Sequence, residues 1–204
     1  MDIPLFLFAK APIAGKVKTR LQSDCSADQA AEIAKVLLEE SIIKAKEHWP
    51  GKLYLSVALD IDHPFLQKML TKYSIELVLQ GDGDLGLKMH QTFEEFGYPA
   101  AIMGCDAPHI LPEDLHLTYD LLAKGKSVLG PSKDGGYYLI GLGEAQKELF
   151  LNKEWGTSSV LDSTLQTAQK EKLDLELLQP LNDVDEWQDL VLAAEQIPSL
   201  KAFI

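Results

Sequence analysis

Cysteine is scarce in this chain: Cys25 and Cys105 are the only two, and 80 positions separate them. That leaves no Cys-x-x-Cys pair for metal or redox work and no disulfide framework, which suits a reduced, cytoplasmic protein. Positive charge is scarce as well. With 19 Lys and Arg against 31 Asp and Glu the formal net charge is -12, which argues against nucleic acid and anionic membranes as partners, since both demand clustered cations. Long apolar runs are missing. The stretch Ile3 to Ala9 follows Asp2 rather than a basic segment and is too short to span a bilayer, so it reads as a first strand. His-Glu-x-x-His, Gly-x-Ser-x-Gly and Walker A patterns are absent, as are internal repeats and low-complexity linkers. The five histidines (His48, His63, His90, His109, His116) show no ligand spacing, and only His109 neighbours a stretch with chemistry in it.

What remains is 46% hydrophobic over 204 residues, enough for one domain over 1–204 with a substantial core. Strand-like runs at 3–8, 52–60, 75–79, 100–104, 127–130, 137–141 and 173–178 alternate with helical patterns. Ser26-Ala27-Asp28-Gln29 has capping-box form ahead of a long amphipathic helix, Leu85 to Phe96 reads as another, and Pro112 suits the first helical position of a third. Alternation of this kind gives a mostly parallel sheet with helices on both faces, and ligands bind outside the carboxyl ends of its strands.

Residues 81–86, Gly-Asp-Gly-Asp-Leu-Gly, spell the Gly-x-Gly-x-x-Gly of dinucleotide sites, with Asp106 a further 20 positions on. An NAD oxidoreductase is nevertheless disfavoured. The fingerprint belongs in the first strand-to-helix turn, and here Asp82 and Asp84 would face a pyrophosphate with no cation before Lys88.

The loops after strands offer better chemistry. Lys10, Lys16, Lys18 and Arg20 put four of the chain's 19 cations into eleven positions, and no acid occurs from Ile3 through Ser23. In so acidic a chain this island points to an anion: Arg20 can grip phosphate in two-point fashion, Lys10 and Lys18 act as point charges, and Gly15 allows close backbone approach. Asp106 directly follows a buried strand, either as a turn or helix cap or as a ligand to Mg²⁺ or Mn²⁺ on a substrate diphosphate. Asp134-Gly135-Gly136 is a hairpin signal, and also a place for a ligand to lie against backbone. Asp183 and Asp185 either form a second carboxylate pair for the metal or enrich a helix start in acid.

Four motifs then stand in one order: Phe-Ala-Lys-Ala-Pro-x-Ala-Gly-x-Val-Lys-Thr-Arg-Leu (8–21), Gly-Asp-Leu-Gly (83–86), Gly-Cys-Asp-Ala-Pro (104–108) and Gly-Pro-Ser-x-Asp-Gly-Gly-Tyr-Tyr-Leu-Ile-Gly-Leu (130–142). Together they resemble DUF2064, a bacterial family of GT-A-type, glycosyltransferase-like proteins. The resemblance implies an α/β nucleotide-diphospho-sugar transferase fold, Rossmann-like, with one reversed strand in a mostly parallel sheet. It implies phosphate contacts from Lys10, Lys18 and Arg20, a metal on Asp106 completed by Asp183 and Asp185, and a substrate-side loop at Asp134, Gly135 and Gly136. Gly83 and Gly86 would line the same cleft. The expected protein is a metal-dependent transferase using a nucleotide-activated donor and an unidentified acceptor, with nucleotidyl transfer as the alternative to glycosyl transfer and a silent nucleotide binder as the third reading.

Overall fold

The computed structural model describes residues 2–58 and 60–204. Among these, seven strands make one sheet: β1 (Leu5–Lys10), β2 (Leu53–Ala58), β3 (Glu76–Leu79), β4 (Ala100–Gly104), β5 (Ser127–Pro131), β6 (Tyr137–Leu142) and β7 (Leu175–Leu177). Their order is β3-β2-β1-β4-β6-β5-β7. β1 pairs in parallel with β2 and β4, β2 with β3, and β5 with β7. Only β6 is reversed, running against both β4 and β5. Six α-helices join them: α1 (Ala27–His48), α2 (Pro64–Tyr73), α3 (Leu85–Phe96), α4 (Pro112–Ala123), α5 (Val160–Lys170) and α6 (Trp187–Gln196). None is long and apolar enough to cross a membrane among the described residues.

Alternation along β1 sets the layers. Leu5 and Leu7 pack with Leu38 and Ile42 of α1, Leu66 of α2 and Leu115 of α4, whereas Phe6 packs with Met89 and Phe93 of α3 and Ala168 of α5. Helices therefore cover both faces, as the alternating pattern demands. β1 and β4 lie side by side while their connections leave in opposite directions, which makes a topological switch point at their carboxyl ends.

Local chemistry fixes the element ends. The capping box at α1 forms in full: Gln29 N donates to Ser26 Oγ at 3.2 Å and Ser26 N to Gln29 Oε1 at 3.0 Å. Pro112 is the first helical residue of α4, after Leu111 as cap. Hydropathy sets β1 at 3–8, but pairing opposite β2 carries it on to Lys10, beside Ala58, and Pro4, with no N–H to give, stays outside. β2 ends at Ala58; Leu59, within the expected 52–60, lies outside the described residues.

The 81–86 loop follows β3, an edge strand, and two of its residues, Asp84 and Gly86, have structural duties. Asp84 caps α3, its Oδ1 accepting from Leu87 N at 2.8 Å. A Cβ on Gly86 would stand 2.4 Å from Trp155 Cζ2 and 2.6 Å from the Phe150 carbonyl oxygen. Gly86→Ala should therefore cost about 1–3 kcal/mol by overpacking, read as a lower urea midpoint with altered Trp fluorescence. An unchanged midpoint would show that the loop has slack there.

Candidate functional site

The basic loop is anchored before it is functional. Ala11 and Val17 are buried at its two ends, and Lys18 leads into a 3-10 helix (Thr19–Ser23) that buries Leu21. Lys18 adopts the left-handed conformation, φ 46° and ψ 45°, uncommon for a residue with a Cβ. Its side chain turns inward and is 5% exposed, with Nζ 2.5 Å from Asp106 Oδ1 and 3.2 Å from Asp185 Oδ1. Burial opposes its charge, but the two carboxylates outweigh burial and hold its pKa above the ordinary lysine value.

Asp106 stands just past β4, between buried Cys105 and Ala107. The floor beneath it is tied to α1: Ser41 Oγ donates to the Cys105 carbonyl at 3.3 Å, and Lys44 Nζ to that of Pro108 at 2.6 Å. Its own carbonyl accepts from Val184 N at 2.8 Å. Leu181 N donates to the Pro131 carbonyl, and Lys133 N to that of Leu181, at 3.0 and 2.9 Å. The acidic segment 181–185 is thus stitched to the ends of both β4 and β5, with fully buried Val184 between Asp183 and Asp185. Asp185 also meets Arg20, Nη1 to Oδ2 at 3.3 Å. Neither Asp106 nor these two acids cap a helix; the α6 start is handled by Glu186 and Asp189.

Asp183 is the least satisfied member of the group. Burial, and behind it the charges of Asp106, Asp134 and Asp185, push its carboxyl up to about 7, with the Ser132 hydroxyl offsetting part of the rise. Even so, neither Asp183 Oδ1 nor Ser132 Oγ completes a hydrogen bond of good geometry, although both atoms are buried. Ser132 is 2% exposed and lies inside the 130–142 motif, so its position in that motif was the available signal.

The remaining expected residues divide. Lys18, Arg20, Asp106 and Asp185 come together, with Asp183 beside them. Asp134 is exposed and closes its own turn, Oδ1 accepting from Gly136 N at 2.9 Å, within the β5–β6 hairpin that the sequence signalled. Gly135, at φ 93°, presses its backbone against that of Ser158 rather than leaving room for a ligand. Lys10 is exposed at the end of β1, and Gly15 provides a turn at φ 79°. His109 faces Gln196 at 3.2 Å, away from the group. A cleft of about 400 Å³ opens beside Arg20, lined also by Ser23, Asp24, Glu186, Trp187 and Gln188; nothing in the spacing of these residues marks it.

The metal expectation needs a correction of geometry. Among the described residues no three acid, histidine or cysteine side chains are arranged to hold a metal ion, and Asp106 and Asp185 are instead both paired with the Lys18 ammonium. The donor type still suits a hard divalent cation, since Asp106 and Asp185 lie near enough to raise the Asp183 carboxyl and one buried oxygen of Asp183 lacks a partner.

Sheet order, single reversed strand and strand-end carboxylates place the protein in the nucleotide-diphospho-sugar transferase fold class. Within that class the chain belongs to DUF2064, described as an uncharacterized protein conserved in bacteria, the match covering residues 41–157. A protein from Desulfovibrio desulfuricans G20, provisionally assigned as a nucleotide-diphospho-sugar transferase, is 27% identical at a TM-score of 0.82, over 94% of this chain and 87% of that one. Similarity of fold alone extends to 4-diphosphocytidyl-2C-methyl-D-erythritol synthase from Anaerococcus prevotii (13% identity, TM-score 0.62, 97% and 96% covered). It extends also to Rv0371c from Mycobacterium tuberculosis, whose structure is a manganese complex (13%, 0.56, 97% and 100%). No curated protein matches the chain.

Asp183 gives a pH signature in metal-free protein. The folded chain keeps its proton up to near pH 7, whereas the unfolded chain releases it near the ordinary carboxylate value. Between about pH 4 and 7 the folded state thus binds the extra proton, and stability falls as pH rises. Asp183→Asn should remove this fall and be more stable than wild type at pH 8 by on the order of 2–4 kcal/mol, with little difference at pH 4. Parallel denaturation profiles for the two proteins would show that Asp183 is not perturbed.

Proposed function

We propose that the protein is a transferase acting on a nucleotide-activated donor, with glycosyl transfer from a nucleotide sugar as the reaction. The observation that carries this is the convergence of Lys18 and Arg20, from the loop after β1, with Asp106 after β4 and Asp185 before α6, at the switch point where sheets of this kind offer a ligand crevice. Such a crevice suits a nucleoside diphosphate, and the likeness to the Desulfovibrio protein supports the same class.

The reaction breaks the bond from the donor's anomeric carbon to its diphosphate and forms one to an acceptor oxygen. Negative charge grows on the leaving diphosphate, so fixed positive groups placed there favour the transition state over the ground state. Arg20, 60% exposed, is free to turn its fork toward phosphate. Asp106, Asp183 and Asp185 would hold Mg²⁺ or Mn²⁺, which supplies charge neutralisation on the diphosphate when bound. The cleft beside Arg20, with Trp187 and two carboxylates on its walls, offers room for a polar second substrate.

A thermal-shift panel of nucleotide sugars, nucleoside triphosphates and NADH with Mn²⁺ tests the reading. The true donor at 100 times its dissociation constant should add about 2.7 kcal/mol of stability, and NADH should add no more than any other nucleotide. Arg20→Ala should weaken a nucleoside diphosphate by about 1.5–3 kcal/mol and leave the bare nucleoside unchanged. Release of nucleoside diphosphate in turnover marks glycosyl transfer, and release of pyrophosphate marks nucleotidyl transfer instead. Binding without turnover across a broad acceptor panel would leave a silent binder.

A further inference from the structure

The cleft of about 400 Å³ beside Arg20 has walls from two parts of the chain, the 3-10 helix with Asp24 behind it and the start of α6. It adjoins the Lys18 group through Arg20, whose Nη1 lies 3.3 Å from Asp185 Oδ2, and through the Asp185–Glu186 peptide bond. Its size falls within the range of roughly 300–1,000 Å³ that small-molecule sites occupy.

The chemistry of the walls narrows the occupant. The main-chain N–H groups of Asp185 and Glu186 are already taken by Asp189 Oδ2, at 3.3 and 2.9 Å. The Ser23 hydroxyl proton stays within the chain, between the Arg20 carbonyl at 3.0 Å and Asp24 Oδ2 at 2.6 Å. An anion would therefore meet one guanidinium against the carboxylates of Asp24 and Glu186, and an apolar ligand would strip water from all three charges. An ammonium ion would stand beside Arg20 and be repelled by it. The open groups are of mixed kind. Arg20, 60% exposed, and the Gln188 amide can donate, while the carboxylates of Asp24 and Glu186 can accept. Trp187, half-buried against the cluster of Leu21 and Leu190, adds an aromatic ring. A hydroxyl both donates and accepts, and a saturated ring bearing hydroxyls has a face of C–H groups that an indole can cover.

Resting on the transferase reading above, we propose that this cleft is the acceptor subsite and that the acceptor is a polyhydroxyl compound, a sugar or a cyclic polyol. Asp24 and Glu186 take its hydroxyl hydrogens, Arg20 and Gln188 donate to its oxygens, and Trp187 lies against its ring. Arg20 then serves both substrates, since it lines the cleft and also meets Asp185. That brings an acceptor hydroxyl to the border of the place where the leaving diphosphate would stand, as transfer between two bound substrates requires. An acceptor lacking one of these hydroxyls would leave a carboxylate without its partner and be rejected.

The subsite is tested without nucleotide or metal, by following the indole N–H signals of isotope-labelled protein during titration with methyl α-D-glucopyranoside, methyl α-D-galactopyranoside and myo-inositol. The chain has three tryptophans, and the signal lost in Trp187→Phe is that of Trp187. At least one polyol should shift it saturably while Trp49 and Trp155 stay still, and inorganic phosphate and tetramethylammonium should leave it unmoved. Asp24→Asn and Glu186→Gln should each raise the dissociation constant roughly tenfold. Asp24 is exposed, so its variant should keep the fold even if the one beside α6 does not. The assignment is overturned by no saturable shift with any polyol, by a shift with phosphate or tetramethylammonium alone, or by an affinity that neither variant weakens. Turnover separates the two ideas. Transfer whose acceptor KM ignores both variants sinks the subsite and keeps the transferase, whereas polyol binding at Trp187 with no turnover of any nucleotide sugar sinks the transferase.

Discussion

A lysine ammonium withdrawn from water must be given anions, and here they come from distant parts of the chain. Lys18 lies on the loop after β1, Asp106 after β4 and Asp185 ahead of α6, so one buried cation fastens three separate segments at the sheet's carboxyl ends. The loops around it follow from that. The loop between β1 and the 3-10 helix is anchored at Ala11 and Val17, the Asp106 floor is tied to α1 through Ser41 and Lys44, and the 181–185 segment is tied to β4 and β5 by main-chain hydrogen bonds. Breaking such a pair from one side is costly, because the charge left behind stays buried.

Much of this was legible in the sequence where local rules govern. The capping box at Ser26, the first-turn Pro112 and the all-apolar Ala100–Gly104 strand each rest on interactions within a few residues, and each falls where expected. β1 shows the limit. Its ends are decided by the register against β2 and by the missing N–H of Pro4, neither of which hydropathy contains. The Gly-Asp-Gly-Asp-Leu-Gly stretch shows another: a spelling that suggests phosphate binding is used for a helix cap at Asp84 and a tight contact between Gly86 and Trp155.

The site was half legible for the same reason. That Lys18, Arg20, Asp106 and Asp185 are candidates could be read from a cationic island in an acidic chain, from an acid placed after an apolar strand and from a late pair of acids, and the structure brings the four together. That Lys18 faces inward could not, since its partner Asp185 is 167 positions away and the pairing exists only once β1 and β4 are neighbours. Ser132 was hidden differently. A serine carries no charge to stand out, and its unsatisfied hydroxyl acquires meaning only from Asp183 beside it.

The acidic balance of the chain takes on a local sense in this arrangement. A site built only to hold phosphate would gather cations and gain by leaving them exposed to solvent. This one pairs its buried lysine with Asp106 and Asp185 and sets Asp183 beside those two acids, so Arg20 and not Lys18 is the cation of the group left open to solvent. The ammonium is stable there only with its carboxylate partners, which themselves stay in reach of water, Asp106 being 54% exposed and Asp185 36%.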